Sequence, residues 1–325
     1  MLGKPTRQLN LVDSALTRRR KRSRGDILLQ KIHDFVDWPS LVEEIEPLYK
    51  ASNRGRPSVP VEYMIKILFL QELYNLSDPA LEDALIDRLS FQRFVGFSFS
   101  DRIPDFTTIW RFRERLEKPG IQEKLFDKIL RMIEKKGSYL KKGQMTVVDA
   151  TIVSAARKAP KKGQDNSSQK DTDARATKKG KKGYFGYKGH VGVDARTGLI
   201  HHAVFTPANI HDSKEFEAVL TGQERAVFAD KAYASIDRKR DFRQRGIYYG
   251  ILDKSFRNRP LSERQKRGNR RKSCIRNRVE RVFAHLKKWY GYTKVRYVTY
   301  GRNRFQFLFL CMVYNVRRTL VLLQT

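Results

Sequence analysis

Cysteine is nearly absent: Cys274 and Cys311 are the two in 325 residues. So few thiols exclude a disulfide framework and a cysteine-based zinc set, and they fit a reducing cytosol. Acidic residues are the second scarcity. Asp plus Glu number 35 against 67 Lys plus Arg, a formal net charge of +32 with a pI near 10.3. An excess of that size repels itself in a compact state and attracts a polyanion. Nucleic acid is the first partner it implies. An acidic membrane surface comes second, and no segment reads as a basic amphipathic anchor. An apolar leader is missing too, since MLGKPTRQLNLVDS carries no hydrophobic stretch and no secretory signal is expected. Long apolar runs are lacking. The most apolar one, Phe305 to Leu323, is broken by Asn315, Arg317 and Arg318 and reads as a buried or docking helix, not a membrane span.

What is present suffices for real cores. Hydrophobic residues make up 40% of a chain long enough for one large domain or two ordinary ones. Residues 1–25, which include all but the last residue of TRRRKRSRGD at 17–26, read as a basic flexible arm. Residues 26–143 read as an all-helical domain. Val61, Ile65, Leu68 and Phe69 recur at helix spacing, as do Leu81, Leu85 and Ile86, and no long alternating pattern intervenes. Ser77-Asp78-Pro79 predicts a helix start. In PDFTTIWRFRERL, Asp105 or Thr107 can cap a helix carrying Arg111, Arg113 and Arg115.

At Met145 the pattern changes. MTVVDATIV is short and β-branched, the signature of a buried strand. The stretch 157–183 is rich in Lys, Gly, Ser, Asp and Gln, and predicts a disordered basic loop or a segment ordered by a ligand. GYKGHVGVDA and LIHHAVFTPA, around a turn at Arg196-Thr197-Gly198, predict a hairpin. A short helix over 213–220, a strand in RAVFADKAY, a helix over 235–245 and a strand in GIYYGILD come next. After Leu261 a basic helix is expected to about Tyr290, and a last one from about Arg302. This order predicts an α/β chain in which 144–325 forms an RNase H-like mixed-sheet catalytic core behind the helical domain. Its first three strands are antiparallel and the later two are reached by helical crossovers.

The chemistry rests on three acids. Asp149 is expected to end the first strand after Val147-Val148, and Asp230 the fourth after Val227-Phe228-Ala229. Both would sit where buried strand gives way to polar chain, the usual place for function in an open sheet. Glu280 lies on the basic helix beside a core stripe of Ile275, Val279, Val282 and Leu286, and shares the neighbouring face with Arg276, Phe283 and Lys287. An Asp after a strand is, taken alone, more often a turn or cap residue. Asp, Asp and Glu on strand, strand and helix in so basic a chain point instead to phosphodiester chemistry. Two divalent ions about 3.5–4 Å apart can activate an attacking oxygen and stabilise a leaving one, and no nucleophilic side chain is then required. Carboxylates are hard oxygen ligands suited to Mg or Mn.

Other marked residues carry two readings each. His190, His202 and His211 lack zinc spacing. His211-Asp212 either supports the acids from behind or caps the helix after it. Tyr184, Phe185, Tyr187 and Lys188 either hold DNA or fill a half-buried strand. Arg54 and Arg56, flanking a glycine in GRP, form a minor-groove arm or a plain loop. The runs 158–182 and 257–272 are the densest in unbalanced positive charge and the first candidates for phosphate contact.

In order along the chain stand GRPSVPVEYMIKILFLQELYNLSD, PDFTTIWRFRERL, VVDAT, NIHDS, ADKAY and RNRVERVFAHLKKWYG. With these motifs the chain resembles the DDE transposases of bacterial insertion sequences, in particular the InsH-like group, from about Gly55 to Leu323. The resemblance implies an RNase H-like core in which Asp149, Asp230 and Glu280 are catalytic and bind two Mg ions, with Mn as a substitute. It further implies cleavage at the terminal inverted repeats of a transposon and strand transfer into target DNA. Double-stranded DNA would be the partner, the protein a homodimer on it, and the setting a bacterial cytoplasm at the nucleoid. Related transposases carry Tyr, two residues, Arg, three residues, Glu, six residues and Lys around the last acid. Arg276, Glu280 and Lys287 match, whereas the tyrosine position is Ser273. Arg276 and Lys287 would then contact phosphate, with Lys188, Arg54, Arg56, Arg111 and Arg113 as further DNA-binding candidates. The helical domain would recognise DNA ends, form the dimer, or both. Two alternatives stand beside this: a domesticated, inactive descendant acting as a DNA-binding regulator, and a basic RNase H-like nuclease or Holliday-junction enzyme.

Overall fold

A computed structural model describes residues 22–48, 58–98, 101–117, 120–137, 144–157, 171–256 and 258–324. The chain forms two compact units, Met1–Lys135 with Met312–Thr325, and Lys136–Cys311.

The first unit is helical: α1 (Arg24–Phe35), α2 (Trp38–Ile45), α3 (Val61–Tyr74), α4 (Asp78–Asp87), α5 (Leu89–Val95), α6 (Phe106–Arg115) and α7 (Ile121–Lys135). Local chemistry sets their starts. Ser77 caps α4, its hydroxyl accepting from the Ala80 N–H with proline in the first turn. Of the two candidates for α6, Asp105 is the cap, accepting from the Thr108 N–H at 2.7 Å. Asn75 ends α3 in the left-handed conformation that Asn tolerates. The expected stripe on α3 is buried, but so is almost every other side of it, making it the central helix of the unit. Leu81 and Leu85 are buried as expected, whereas Ile86 is 54% exposed.

The second unit is built on a six-stranded mixed sheet of β1 (Met145–Ser154), β2 (Arg175–Lys179), β3 (Lys182–Asp194), β4 (Ile200–Pro207), β5 (Ala226–Ala229) and β6 (Tyr248–Ile251). β3 runs antiparallel to β1, β2 and β4, while β1, β5 and β6 are mutually parallel in that order. Val148, Val227, Ala229, Phe216, Val219, Tyr233, Phe242, Ile247 and Ile251 form a core on it. Gly192 permits a close approach: a Cβ there would lie 2.0 Å from the Val219 carbonyl oxygen. Helices α8 (Ile236–Gln244), α9 (Glu263–Arg276) and α10 (Arg278–Lys288) complete the unit's inner order. The last helix, α11 (Tyr300–Leu322), starts in this unit and ends in the helical one. By length and composition α11 could cross a membrane, but 78% of its apolar window is buried inside the structure.

Several expectations need correction. The basic stretch 157–183 is not loop throughout, because β2 and the start of β3 lie within it. β2 is mostly exposed, so it has no apolar face to reveal it in the sequence. Residues 158–170 lie outside the described residues, as do nearly all of the basic arm and Arg54 and Arg56. The helix expected over 213–220 is two 3₁₀ turns, Asp212–Glu215 and Glu217–Val219. The basic helix after Leu261 is two helices that meet at Asn277. Finally, the boundary expected at 143/144 falls at 135/136, and residues 312–325 belong to the helical unit instead of the α/β one.

Candidate active site

Asp149 does not end β1, as its sequence context suggested; it stands midway along the strand. What ends there is the pairing with β5, whose last register pair is Val148 with Ala229. Asp149 and Asp230 are the next residues on the two parallel strands. Beyond that point β1 continues against β3 alone, and Asp230 turns the chain into a 3₁₀ segment, Lys231–Tyr233. The sheet therefore opens at the acids, as parallel strands do where they part.

The third acid arrives from the helices. Val279, Val282, Phe283 and Leu286 bury the inner face of α10, which leaves Glu280, in its first turn, 56% exposed. Arg276, the last residue of α9, bridges the two elements. Its Nη2 donates to Glu280 Oε1 at 3.0 Å and to Asp149 Oδ2 at 3.3 Å. Burial works against the guanidinium charge, yet Asp149, Asp230 and Glu280 outweigh it and raise the Arg276 pKa. Asp149 and Glu280 thus share one cation by hydrogen bonds, and Asp230 adds only its charge. Burial also raises the Asp149 pKa, and Asp230 adds to this, against the Ala150 N–H at 2.9 Å and the charge of Arg276.

Their hard carboxylate oxygens suit Mg or Mn. Their standing geometry does not, for no three His, Cys, Asp or Glu among the described residues are gathered to hold a metal ion. Donor chemistry and arrangement disagree here, and the group standing between Asp149 and Glu280 is the arginine.

No residue of α9 is buried. It starts with a capping box between Ser262 and Gln265 and is fastened by polar contacts at spacing i, i+3, i+7. Asn269 exchanges hydrogen bonds with the Asp253 backbone at 2.9 and 3.1 Å. Lys272 donates to the Ile251 carbonyl and pairs with Asp253, and Arg276 reaches the acids. The remaining cations, Arg264, Lys266, Arg267, Arg270 and Arg271, are exposed. On α10, half-buried Lys287 has a pKa lowered by burial and then by the charge of Lys179 on β2.

Two expected DNA contacts are engaged inside the fold instead. Arg113 is 2% exposed, pairs with Asp78 and donates to Gln71 Oε1 at 3.1 Å. Lys188 is buried, donating to the Ile210 carbonyl at 2.8 Å and pairing with Asp212 at the same distance. Helix and strand period put both on inward faces, a fact that charge alone does not convey. Arg111 is exposed. Tyr187 is likewise structural, stacked on Phe205 and bonded to Asp171 at 2.6 Å. His211 accepts from the Ser213 N–H, which makes it a cap. The three histidines go separate ways, His190 to Thr206, His202 to His201 and His211 to its own turn. Tyr233, absent from the sequence-based candidates although it lies in ADKAY, is 1% exposed, and its hydroxyl finds no partner among the described residues. It ends the 3₁₀ turn that follows Asp230, and burial first, then Asp149, Asp212 and Asp230, push its pKa up.

Comparison with known families defines the class. Residues 16–115 match a transposase domain of the DUF772 type, and residues 141–316 match the transposase DDE domain. Both regions are thus of the transposase class. The second match spans more than half of the chain, and the chain belongs to the transposase DDE domain family. A solved structure, the cryo-EM structure of the piggyBac transposase synaptic complex with hairpin DNA, is similar over 92% of this chain and 75% of its own, with a TM-score of 0.43 and 10% identity.

Proposed function

We propose that this transposase cuts DNA strands at the terminal inverted repeats of an insertion sequence and joins them to target DNA, with Asp149, Asp230 and Glu280 as its catalytic acids. The observation that carries this is that Arg276 joins Asp149 on β1 to Glu280 on α10, while Asp230 directly follows β5, the parallel neighbour whose pairing with β1 ends just before Asp149. We read the sheet as an RNase H-like core, since an antiparallel set is extended by parallel β5 and β6. The motif set supports membership in the InsH-like group.

The carboxylates of Asp149, Asp230 and Glu280 are the donors that would hold two Mg ions, or Mn in their place, although they are not gathered for it as they stand. Such ions supply activation of the attacking oxygen and stabilisation of the leaving one. The chain's own part is to bind and align the phosphodiester. Arg264, Lys266, Arg267, Arg270 and Arg271 on α9 offer a cationic face that leads along the helix to Arg276, and Lys287 with Lys179 offers a second. Arg111 is the corresponding candidate on the helical unit. Synapsis of two transposon ends needs two protomers, so the working form is a homodimer on double-stranded DNA, with the helical unit serving end recognition or dimerisation. The setting is the bacterial nucleoid.

The test is cleavage of a labelled duplex bearing the element's own terminal repeat, with Mg or with EDTA, by wild type, Asp230→Ala and Glu280→Ala. Cutting at the repeat boundary is expected for wild type with Mg, and background levels otherwise, with DNA binding retained throughout. Undiminished cutting by either variant refutes the assignment. Repeat-specific binding without cutting under any metal identifies a binding-only regulator instead.

A further inference from the structure

Arg276 stands between two of the three acids. Its guanidinium is the group shared by Asp149 and Glu280, through a single nitrogen at 3.3 and 3.0 Å. About a fifth of the side chain is exposed, and its buried Nε finds no hydrogen-bond partner among the described residues. An arginine has five N–H donors in a planar fork, and a carboxylate or phosphate can satisfy two of them at once. Here the fork is incompletely used, and a buried donor left unmade is unfavourable. The residue is held by charge more than by geometry.

Building on the metal-binding role given to the acids above, we propose that Arg276 is a stand-in cation. It occupies carboxylate oxygens that a divalent ion must take, so that metal loading requires the arginine to leave. Like charges a few ångströms apart repel strongly in a partly dry site, so the guanidinium and a divalent ion do not share these acids comfortably. Departure costs little core packing, because α9 buries none of its residues. A phosphodiester oxygen is the natural new partner, since guanidinium and phosphate form paired, charge-assisted bonds. Metal and DNA then favour each other's binding: DNA draws the arginine off the acids, and metal releases it for DNA. Such coupling is reciprocal by thermodynamic necessity. It would keep the acids together and metal-poor until DNA arrives, which limits cutting away from a bound end.

The experiment measures Mn²⁺ binding by the EPR signal of the free ion, with and without a short duplex, so that it needs no turnover. The proteins are wild type, Arg276→Gln, Arg276→Lys, Asp149→Asn and the charge control Arg281→Gln, whose exposed arginine lies next to Glu280. Without DNA, Arg276→Gln should bind Mn²⁺ about fivefold tighter than wild type or better, as expected for loss of a competing partly buried ion pair. Arg276→Lys should fall between them, and Arg281→Gln should change affinity by less than about twofold. Duplex should tighten Mn²⁺ binding in wild type and much less in Arg276→Gln. Weaker or equal binding by Arg276→Gln, still dependent on Asp149, overturns the proposal: the arginine then organises the acids and does not compete for them. An equal gain in Arg281→Gln overturns it as well, showing a general field and not a shared place. If Mn²⁺ binding is absent everywhere, or indifferent to Asp149→Asn, the metal reading of the site fails together with the proposal.

Discussion

His190 should make this protein sensitive to mild acid. It lies on β3 opposite Ala150, one residue from the register position of Asp149, and is 1% exposed. Nε2 lies 2.9 Å from Thr206 Oγ1, while Nδ1 finds no partner among the described residues. Of the charges that face it, Asp212 favours the protonated ring and Lys188 opposes it. Burial exceeds both and lowers the pKa from 6.5 to about 4. Because the folded value lies below the unfolded one, the unfolded chain binds the extra proton first as pH falls. The stability that neutral His190 allows is therefore complete above pH 6.5 and is lost progressively as pH drops to about 4. Roughly 2.5 pKa units at 1.36 kcal/mol each make this about 3 kcal/mol. His190→Gln keeps an amide to meet Thr206 and carries no titratable group. Urea unfolding of wild type and variant at half-unit steps from pH 7 to 4 isolates the contribution, since carboxylates titrating in both proteins cancel in the difference. The stability of wild type relative to the variant should fall by about 3 kcal/mol across that window. A difference that stays flat with pH refutes this account, as would an imidazole that titrates near 6.5 in the folded protein by NMR.

Other expectations separate structural cations from DNA-facing ones. Arg113→Ala should destabilise the protein by about 2–4 kcal/mol in urea, because it empties a buried side-chain site and takes a charged donor from half-buried Asp78 and buried Gln71. Weakened DNA binding at unchanged stability would show instead that Arg113 reaches phosphate. Replacing Arg264, Arg267, Arg270 and Arg271 together by Gln should leave the thermal midpoint within about a degree or two, since exposed substitutions change stability little. The slope of log affinity against log salt for duplex DNA should drop by about 3–4, near 0.9 per lost phosphate contact. An unaltered slope removes α9 from the DNA-binding surface.

Much of the secondary structure is legible because its causes are local. Ser77, Asp105 and Ser262 accept from N–H groups three residues on, and the start of each helix is written in that short span. The strands around Val147 and Val227 announce themselves by short apolar runs. β2 does not, because an exposed strand has no apolar face to betray it, and its lysines look like loop. The same blindness explains Arg113 and Lys188. A cation counts as surface in composition until packing shows what it is buried against.

The order of amino acids supplies the chemistry on offer: a cationic chain, three acids in sequence, and the helices and strands that carry them. Local hydrogen bonds and side-chain period suffice for that. Which acids meet is settled by packing. The parallel register of β1 with β5 leaves Asp149 and Asp230 as the next residues where pairing stops, and the break at Asn277 lets Arg276 face both Asp149 and Glu280. Register between strands some 80 residues apart depends on side chains packed across the whole sheet, and no stretch of sequence a few residues long contains it.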